Sequence, residues 1–338
     1  MRSKYSKYFV LMIYVSLLGC DSPKRSEKNP APIPDIAKGP QIPSEKGYLI
    51  EKIGEDLYWL TNGVYQTMFF VTEKGVVAVD APPSIGINYL KAIEEVTDKK
   101  ITHIIYSHPH ADHISAARMF PSDAIYIAHE ETAATLINRK NSNRKNEFGY
   151  FSGGTSVPLP TVTFSENYTL KVGTQIIELS YAGINHEPGN IFIYAPMQKV
   201  LMFVDVIDPG WIPFKSLAHA DNTLGFIMAY DKVMSFDFEL FIGGHLNRLG
   251  TRDDIVLHGE YMRDLEESAI EALESITFSS VAKKVGYSNT FLLFESYIDA
   301  VSDECEKLML PKWIGRLGGA DIFTGDNCAQ MISSLRLE

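Results

Sequence analysis

The sequence predicts an α/β (α+β) fold in which two β-sheets pack face to face and helices cover their outer sides. Two observations point there. Short apolar runs of strand character fall into two groups, Tyr48 to Ala128 and Thr169 to Ile242, and stretches of helical apolar spacing interleave with them. Beyond residue 250 the spacing is helical only, which adds a C-terminal helical extension at 251–338. Pattern alone does not fix the architecture; a histidine-rich segment after one strand narrows it.

The chain opens with Arg2, Lys4 and Lys7, followed by one apolar run from Phe9 to Leu18. A run of about ten residues is too short to span a bilayer core of about 30 Å as a helix. It ends in Leu17-Leu18-Gly19-Cys20, which resembles the lipobox of bacterial lipoprotein signals. That resemblance implies a signal peptide at 1–19 and a lipidated Cys20 as first mature residue. The protein would then be held to a membrane of the cell envelope, facing the periplasm or exterior. A plain secretory signal is the alternative. Residues 20–47 are rich in Pro, Lys, Ser and Glu with no hydrophobic period, which predicts a flexible tether.

The folded part is expected from Tyr48. Tyr48–Ile53, Leu57–Leu60, Gln66–Thr72 and Val76–Asp80 have the spacing of an antiparallel meander. A helix is predicted over Gly86–Val96, a strand over Ile101–Ser107, a helix start over Ile114–Phe120, a strand over Ala124–Ala128 and a helix over Glu130–Arg139. Asn141–Pro160 is a long polar, Gly-rich and aromatic loop, a kind that is often functional. Strands follow at Thr169–Val172, Gln175–Tyr181, Asn190–Tyr194 and Lys199–Val204. Then come a helix over Asp221–Ser235, a short strand Leu240–Ile242, and helices over Asp253–Ile276 and Thr290–Leu310.

Composition bounds the function. The 338 residues carry 45% hydrophobic and 22% charged side chains, an ordinary globular balance with enough chain for a large core. A net charge of −11 disfavours nucleic acid as a partner, so a small-molecule substrate is expected. Two cysteines remain, Cys305 and Cys328. In an oxidising compartment they are a possible disulfide; two buried thiols are the alternative. Oligomeric state is not legible.

The chemistry lies in Ser107-His108-Pro109-His110-Ala111-Asp112-His113. Three imidazoles and a carboxylate fall within six residues of a chain that has nine histidines, directly after a buried-looking strand. Zinc takes both ligand types at about 2.0–2.2 Å. This segment resembles the hallmark His-x-His-x-Asp-His of the metallo-β-lactamase superfamily. The resemblance continues in order: Val77-Ala78-Val79-Asp80, Asn185-His186-Glu187-Pro188-Gly189-Asn190, Leu201 to Asp205, and Gly243-Gly244-His245. It implies a four-layer αββα sandwich over about 48–250 and two zinc ions per chain. His108, His110 and His186 would hold one ion, and Asp112, His113 and His245 the other. Asp205 would bridge them, with Asp208 a nearby competitor for that role.

The resemblance also implies a hydrolase that uses a metal-bound hydroxide on an ester, lactone, thioester or amide, with Asp112 as the catalytic acid–base group. Asp80 would support the centre from behind, holding the loop or a ligand imidazole; a purely structural Asp80 is the other reading. Trp211 and Phe214, with Tyr150 and Phe151 opposite, are candidates for an apolar substrate wall, or for ordinary packing under the loop. His103, His129, His219 and His258 read as structural or surface residues. Hydrolysis of β-lactams in the cell envelope is the alternative activity, although zinc β-lactamases generally have cysteine or serine where this chain has Asp205. From other classes come a di-iron redox protein, which the histidine-rich set and missing flavodoxin-like domain disfavour, and a metal-stabilised non-catalytic binding protein, which predicts a lost ligand where none is lost.

Overall fold

The computed structural model describes residues 29–141 and 157–337. The signal segment with Cys20, and the wall candidates Tyr150 and Phe151, lie outside the described residues. Strands β1 (Leu49–Gly54), β2 (Leu57–Thr61), β3 (Gln66–Thr72) and β4 (Gly75–Val79) form the expected antiparallel meander. β5 (Ile101–Ile105), β6 (Ile125–His129) and β7 (Val162–Phe164) continue the sheet in parallel, giving seven strands in chain order. Parallel neighbours need crossovers. The first carries α1 (Asn88–Glu94) and the second carries α2 (Ala111–Ile114) with a single 3₁₀ turn. After β6, α3 (Glu130–Asn141) leads towards β7.

The second sheet has the order β12–β11–β10–β9–β8. It is built from β8 (Asn167–Val172), β9 (Gln175–Ser180), β10 (Phe192–Ala195), β11 (Val200–Met202) and β12 (Leu240–Ile242). Only the β11–β12 pair is parallel; α4 (Lys215–His219) and α5 (Thr223–Met234) fill the crossover between them. Four more helices follow: α6 (Arg252–Ser275), α7 (Phe278–Val285), α8 (Thr290–Trp313) and α9 (Ala320–Leu337).

Side-chain alternation along the strands sets the layers. Met68, Phe70, Val77, Val79, Ile105 and Ile127 face the second sheet and meet Leu170, Leu179, Ile193, Met202, Val204 and Ile242. The alternate residues of the same strands point outward: Phe69, Val76, Ala78 and Ile104 pack against Tyr89, Ala92 and Ile93 of α1. On the far side, Phe192, Leu201, Phe203 and Phe241 pack under α5, α6, α8 and α9. The result is four layers, helix–sheet–sheet–helix, with the C-terminal helices added to the outer layer of the second sheet.

That extension is braced within itself by two links and tied to the preceding chain by a third. Trp313 at the end of α8 donates from Nε1 to Asp264 Oδ2 at 2.8 Å and packs edge-on to Tyr261. Cys305 and Cys328 form a disulfide between α8 and α9. Next to it, Asn327 accepts from the Leu217 N–H at 2.8 Å and donates to the Pro213 carbonyl at 2.9 Å. These last bonds hold α4, which is a left-handed turn: Ser216, Leu217, Ala218 and His219 all have φ between 52° and 56°.

Several expectations are corrected. Residues 20–47 were expected to be a flexible tether, yet from Ala31 to Gly47 the chain is docked. Ala31 N–H donates to Asp321, the Ala37 carbonyl accepts from the Trp211 indole at 3.0 Å, and the Pro40 carbonyl accepts from Asn247 at 2.7 Å. Five prolines between 30 and 43 restrict φ before folding, so docking costs less entropy than the composition implies. The helix expected over Ile114–Phe120 begins instead at Ala111, inside the histidine segment, and the strand into it ends at Ile105 rather than Ser107. β7, α4, α7 and α9 were not anticipated as separate elements. Among the described residues no helix is long and apolar enough to cross a membrane.

The disulfide spans a sequence separation of 23, and closing a loop of that size stabilises by about 3 kcal/mol in the chain-entropy account. Cys305→Ser should therefore lower the urea unfolding free energy by about 2–4 kcal/mol. Reducing agent should produce the same loss in the unsubstituted chain and none in the variant.

Candidate metal centre

The centre is assembled at strand ends. Asp80 follows β4 with φ 51°; its N–H donates to the Ile105 carbonyl and its Oδ1 accepts the Ser107 N–H at 2.7 Å. This fastens the end of β5 to the end of β4, so His108 leaves the sheet at a set angle. Ser107 Oγ lies 3.0 Å from His108 Nδ1, which leaves Nε2 to face inward. The chain stays extended at His110 (φ −69°, ψ 138°) and turns into α2 at Ala111, which puts Asp112 and His113 on its first turn. The His113 carbonyl is held by the Ala81 N–H at 2.7 Å.

The second sheet supplies the rest. The Asn185 side chain caps the His186 N–H at 2.7 Å and is itself held by Asn190, whose amide also reaches the Val204 carbonyl. Asp205 follows β11 with φ 66°, its N–H bonded to the Gly243 carbonyl. His245 follows β12 after Gly244, whose φ is 93° and where a Cβ would lie 2.6 Å from Val204 Cγ1. A side chain there would push the His245 loop away. That loop is also gripped by Gln66 at the start of β3: its N–H bonds the Gly244 carbonyl and its Nε2 the His245 carbonyl at 2.6 Å. Trp59 Nε1 fixes the Gln66 amide from behind at 2.9 Å.

All seven sequence-predicted ligands come together. Among the described residues they form two donor groups, His108, His110, His186 and Asp205, and Asp112, His113 and His245. Within each group the ligand atoms lie within 4.8 Å of one another. Asp205 faces both. Its Oδ2 is 3.3 Å from Nε2 of His108 and 3.3 Å from Nε2 of His186, while its Oδ1 is 3.1 Å from His113 Nε2 and 2.9 Å from His245 Nε2. Asp208, the competing acid, is half-buried and belongs to neither group; desolvation pushes its carboxyl up to about 6.

The donor set fits cations. Nε2 of His108 and Oδ1 of Asp205 are buried with no hydrogen-bond partner, although buried polar atoms are normally paired. Ring nitrogens also face each other at 3.1 Å, His113 Nε2 with His245 Nε2 and His186 Nε2 with His110 Nδ1. Lone pairs converging on shared points are what a bound cation satisfies, and imidazole with carboxylate suits zinc.

Without a cation the titration of the cluster is divided. Burial holds the His108 imidazole well below its usual range. Burial also opposes charge on His113, but the Asp205 and Asp112 carboxylates outweigh it and push His113 up to about 10. For Asp205, burial would raise the carboxyl, and the neighbouring imidazoles of His113 and His245 instead hold it well below the carboxylate range. Asp80, fully enclosed, is pushed up to about 6 mainly by burial.

Three neighbours were not anticipated. Glu187 Oε2 lies 3.3 Å from His110 Nε2, the nitrogen that points away from His186, so a carboxylate backs this imidazole. Its position directly after His186 was the available signal. Gln66 acts through backbone, and Tyr65 reaches Asp112; neither has a local sequence signature. The aromatic wall is corrected in part. Trp211 is committed to Ala37 and to the Gly318 backbone, and half-exposed Phe214 packs against Phe323 and His219, because the Ile212 N–H bonds the Gly318 carbonyl and draws this loop to the C-terminal helices. Of the other histidines, His129 Nε2 donates to the Ser165 carbonyl, His103 contacts Thr102, His219 is at the surface, and His258 is buried against Tyr230.

Comparison with known proteins agrees with this geometry. The family model of the metallo-beta-lactamase superfamily matches residues 61–245. The chain is 26% identical over 212 residues to the 2,4-dinitroanisole O-demethylase subunit alpha of Nocardioides sp. (strain JS1661), covering 62% of this chain and 61% of that subunit. It is 26% identical over 184 residues to the metallo-beta-lactamase type 2 of Elizabethkingia meningoseptica, covering 52% of this chain and 67% of the relative. Among solved structures, a metallo-beta-lactamase from Pontibacter korlensis superposes with a TM-score of 0.50 at 19% identity, over 64% of this chain and 99% of that one. At that identity the likeness concerns the fold.

The latch at Asp80 generates a prediction. Asp80→Ala leaves the buried Ser107 N–H unpaired beside His108 and should weaken cation binding at the donor set by about 10–100-fold. Competition with a chromogenic chelator measures this; unchanged affinity would mean that the latch does not set the position of His108.

Proposed function

The chain belongs to the metallo-β-lactamase superfamily, and on that premise we propose that it is a binuclear zinc hydrolase acting on the ester, lactone, thioester or amide bond of a small molecule. The observation that carries this reading is Asp205, which presents one carboxylate oxygen to each donor group. His108, His110 and His186 would hold one ion, Asp112, His113 and His245 the other, and Asp205 both. Zinc in such a site supplies a water acidified from pKa 15.7 to about 7, together with a Lewis acid for the scissile group.

The protein's own groups do the rest. Asp112 Oδ2 stands 3.6 Å from His113 Nε2 and 3.7 Å from His245 Nε2, on a side chain that is 36% exposed. It therefore borders both the donor group and solvent, where it can orient the attacking water, accept its proton and return it to the leaving group. Glu187 keeps the His110 ring turned towards the centre. Buried His108, His113 and His186 exclude water from the inner wall.

β-Lactam hydrolysis is a second reading, supported by similarity to proteins named metallo-beta-lactamase type 2. The acidic residue at 205 ranks it below the first. The O-demethylase relative adds an aryl methyl ether to the substrates worth testing.

The test combines metal analysis with a hydrolysis screen of aryl ester, lactone, acyl-glutathione, chromogenic cephalosporin and 2,4-dinitroanisole. Two zinc equivalents and turnover of at least one substrate are expected. Asp112→Asn should reduce kcat by about a hundredfold or more, and His110→Ala should also lower the metal content. Full rate and full metal content in both variants would overturn the mechanism.

We also propose that Cys20 carries a lipid anchor, supported by the lipobox-like Leu17-Leu18-Gly19-Cys20 after a basic start. Radiolabelled palmitate should label the full chain and not Cys20→Ser; equal labelling of both would remove the anchor.

A further inference from the structure

Tyr65 lies just before β3 and owes its placement to backbone held on both sides. Asn62 Oδ1 accepts from the N–H groups of Val64 at 3.0 Å and Tyr65 at 2.8 Å, closing a tight turn through Gly63. Thr61 Oγ1 donates to the Tyr65 carbonyl at 2.8 Å. The Leu246 N–H reaches the Val64 carbonyl at 2.6 Å, and Tyr65 bridges His245 across the same seam. A side chain mounted this way cannot drift relative to the His245 loop.

From there the ring covers two candidate ligands. Its centroid is 4.5 Å from that of His245 and 5.5 Å from that of His113. The hydroxyl donates to Asp112 Oδ2 at 3.0 Å. That oxygen is the one facing His113 and His245. Among the described residues, Tyr65 donates a hydrogen bond to Asp112, whereas the His113 and His245 nitrogens stand 3.6 and 3.7 Å off, beyond hydrogen-bond reach. A surface carboxylate on the first turn of a short helix is otherwise free to rotate about χ1 and χ2. Burial raises the Tyr65 phenol further above its ordinary range, with the nearby Asp112 and Asp205 carboxylates adding to the effect, so it stays a neutral donor.

We propose that Tyr65 is a positioning residue that acts through Asp112: its hydroxyl fixes Oδ2 towards His113 and His245 and so sets the affinity of that cation site selectively over the one formed by His108, His110 and His186. This rests on the binuclear reading of the centre. Among the described residues the Tyr65 side chain makes its hydrogen bond and ring contacts with Asp112, His113 and His245 and none with His108, His110 or His186, so its effect falls on one side of Asp205. Tyr65→Phe keeps the ring on His245 and His113 and removes only the hydrogen bond, which makes it the informative variant.

The experiment is a cobalt(II) titration of the metal-stripped full chain, followed by its visible absorption and by chelator competition. Unsubstituted protein should bind two equivalents. In Tyr65→Phe the equivalent tied to Asp112 should weaken by about tenfold or more with an altered absorption band, while the other equivalent is unchanged. In an Asp112→Ala background, Tyr65→Phe should add no further loss. Two unchanged equivalents in the variant, equal weakening of both, or an undiminished effect without Asp112 would each overturn the proposal and leave the binuclear reading intact. A single equivalent in the unsubstituted chain would overturn both.

Discussion

A carboxylate enclosed in protein has to be compensated where it stands, and Asp205 is 7% exposed. Taking such a charge out of water costs several kcal/mol unless opposite charge or hydrogen bonds surround it. Here the His113 and His245 imidazoles supply the compensating charge at 3.1 and 2.9 Å, with the His108 and His186 nitrogens also within 3.3 Å. They reach it because every donor segment begins beyond the end of a strand: His108 after β5, His186 after β9, Asp205 after β11 and His245 after β12. The sandwich brings those ends to one edge, and the rest of the architecture follows from keeping them there.

Backbone geometry at that edge is unusual in a consistent way. Asp80, Asp205 and Leu246 all have positive φ, with Gly244 among them. An L-residue in this conformation is disfavoured by about 1–2 kcal/mol, and Asp bears it better than most. Each of the two acidic positions is repaid by a bond between neighbouring strand ends, Asp80 with Ile105 and Ser107, Asp205 with Gly243. A left-handed residue turns the chain sharply, so each strand delivers its functional side chain to the edge instead of continuing past it. The left-handed turn at Ser216–His219 is different: it is held by Asn327 of the C-terminal extension and by burial of Leu217, far along the chain from the ligands.

How much of this was legible depends on the range of the interaction. His108, His110, Asp112 and His113 stand out because ligand chemistry and local geometry compress them into six residues. His186, Asp205 and His245 have no local signature; they were readable only through the resemblance, since the separations between them are set by intervening strands and helices. Tyr65 and Gln66 were invisible. Their partners lie 47 and 179 residues away, and nothing in Val64-Tyr65-Gln66 marks either side chain as anything but part of a strand. The docked segment from Ala31 was misread for a related reason: composition measures what a stretch can bury by itself, not what it gains from a surface already built. The left-handed α4 had little warning either, as Ser-Leu-Ala-His contains no Gly, Asn or Asp.

The division of donors between the layers has one further consequence. His108, His110, Asp112 and His113 come from the first sheet, and His186, Asp205 and His245 from the second. Any ion held by both sets would be a clasp between two halves that otherwise adhere through apolar contact and hydrogen bonds such as those from Gln66 and Leu246. Its binding free energy then adds to the resistance of the sandwich against parting, growing with the logarithm of free ion concentration. For a molecule of this plan, ion supply in its surroundings would bear on lifetime.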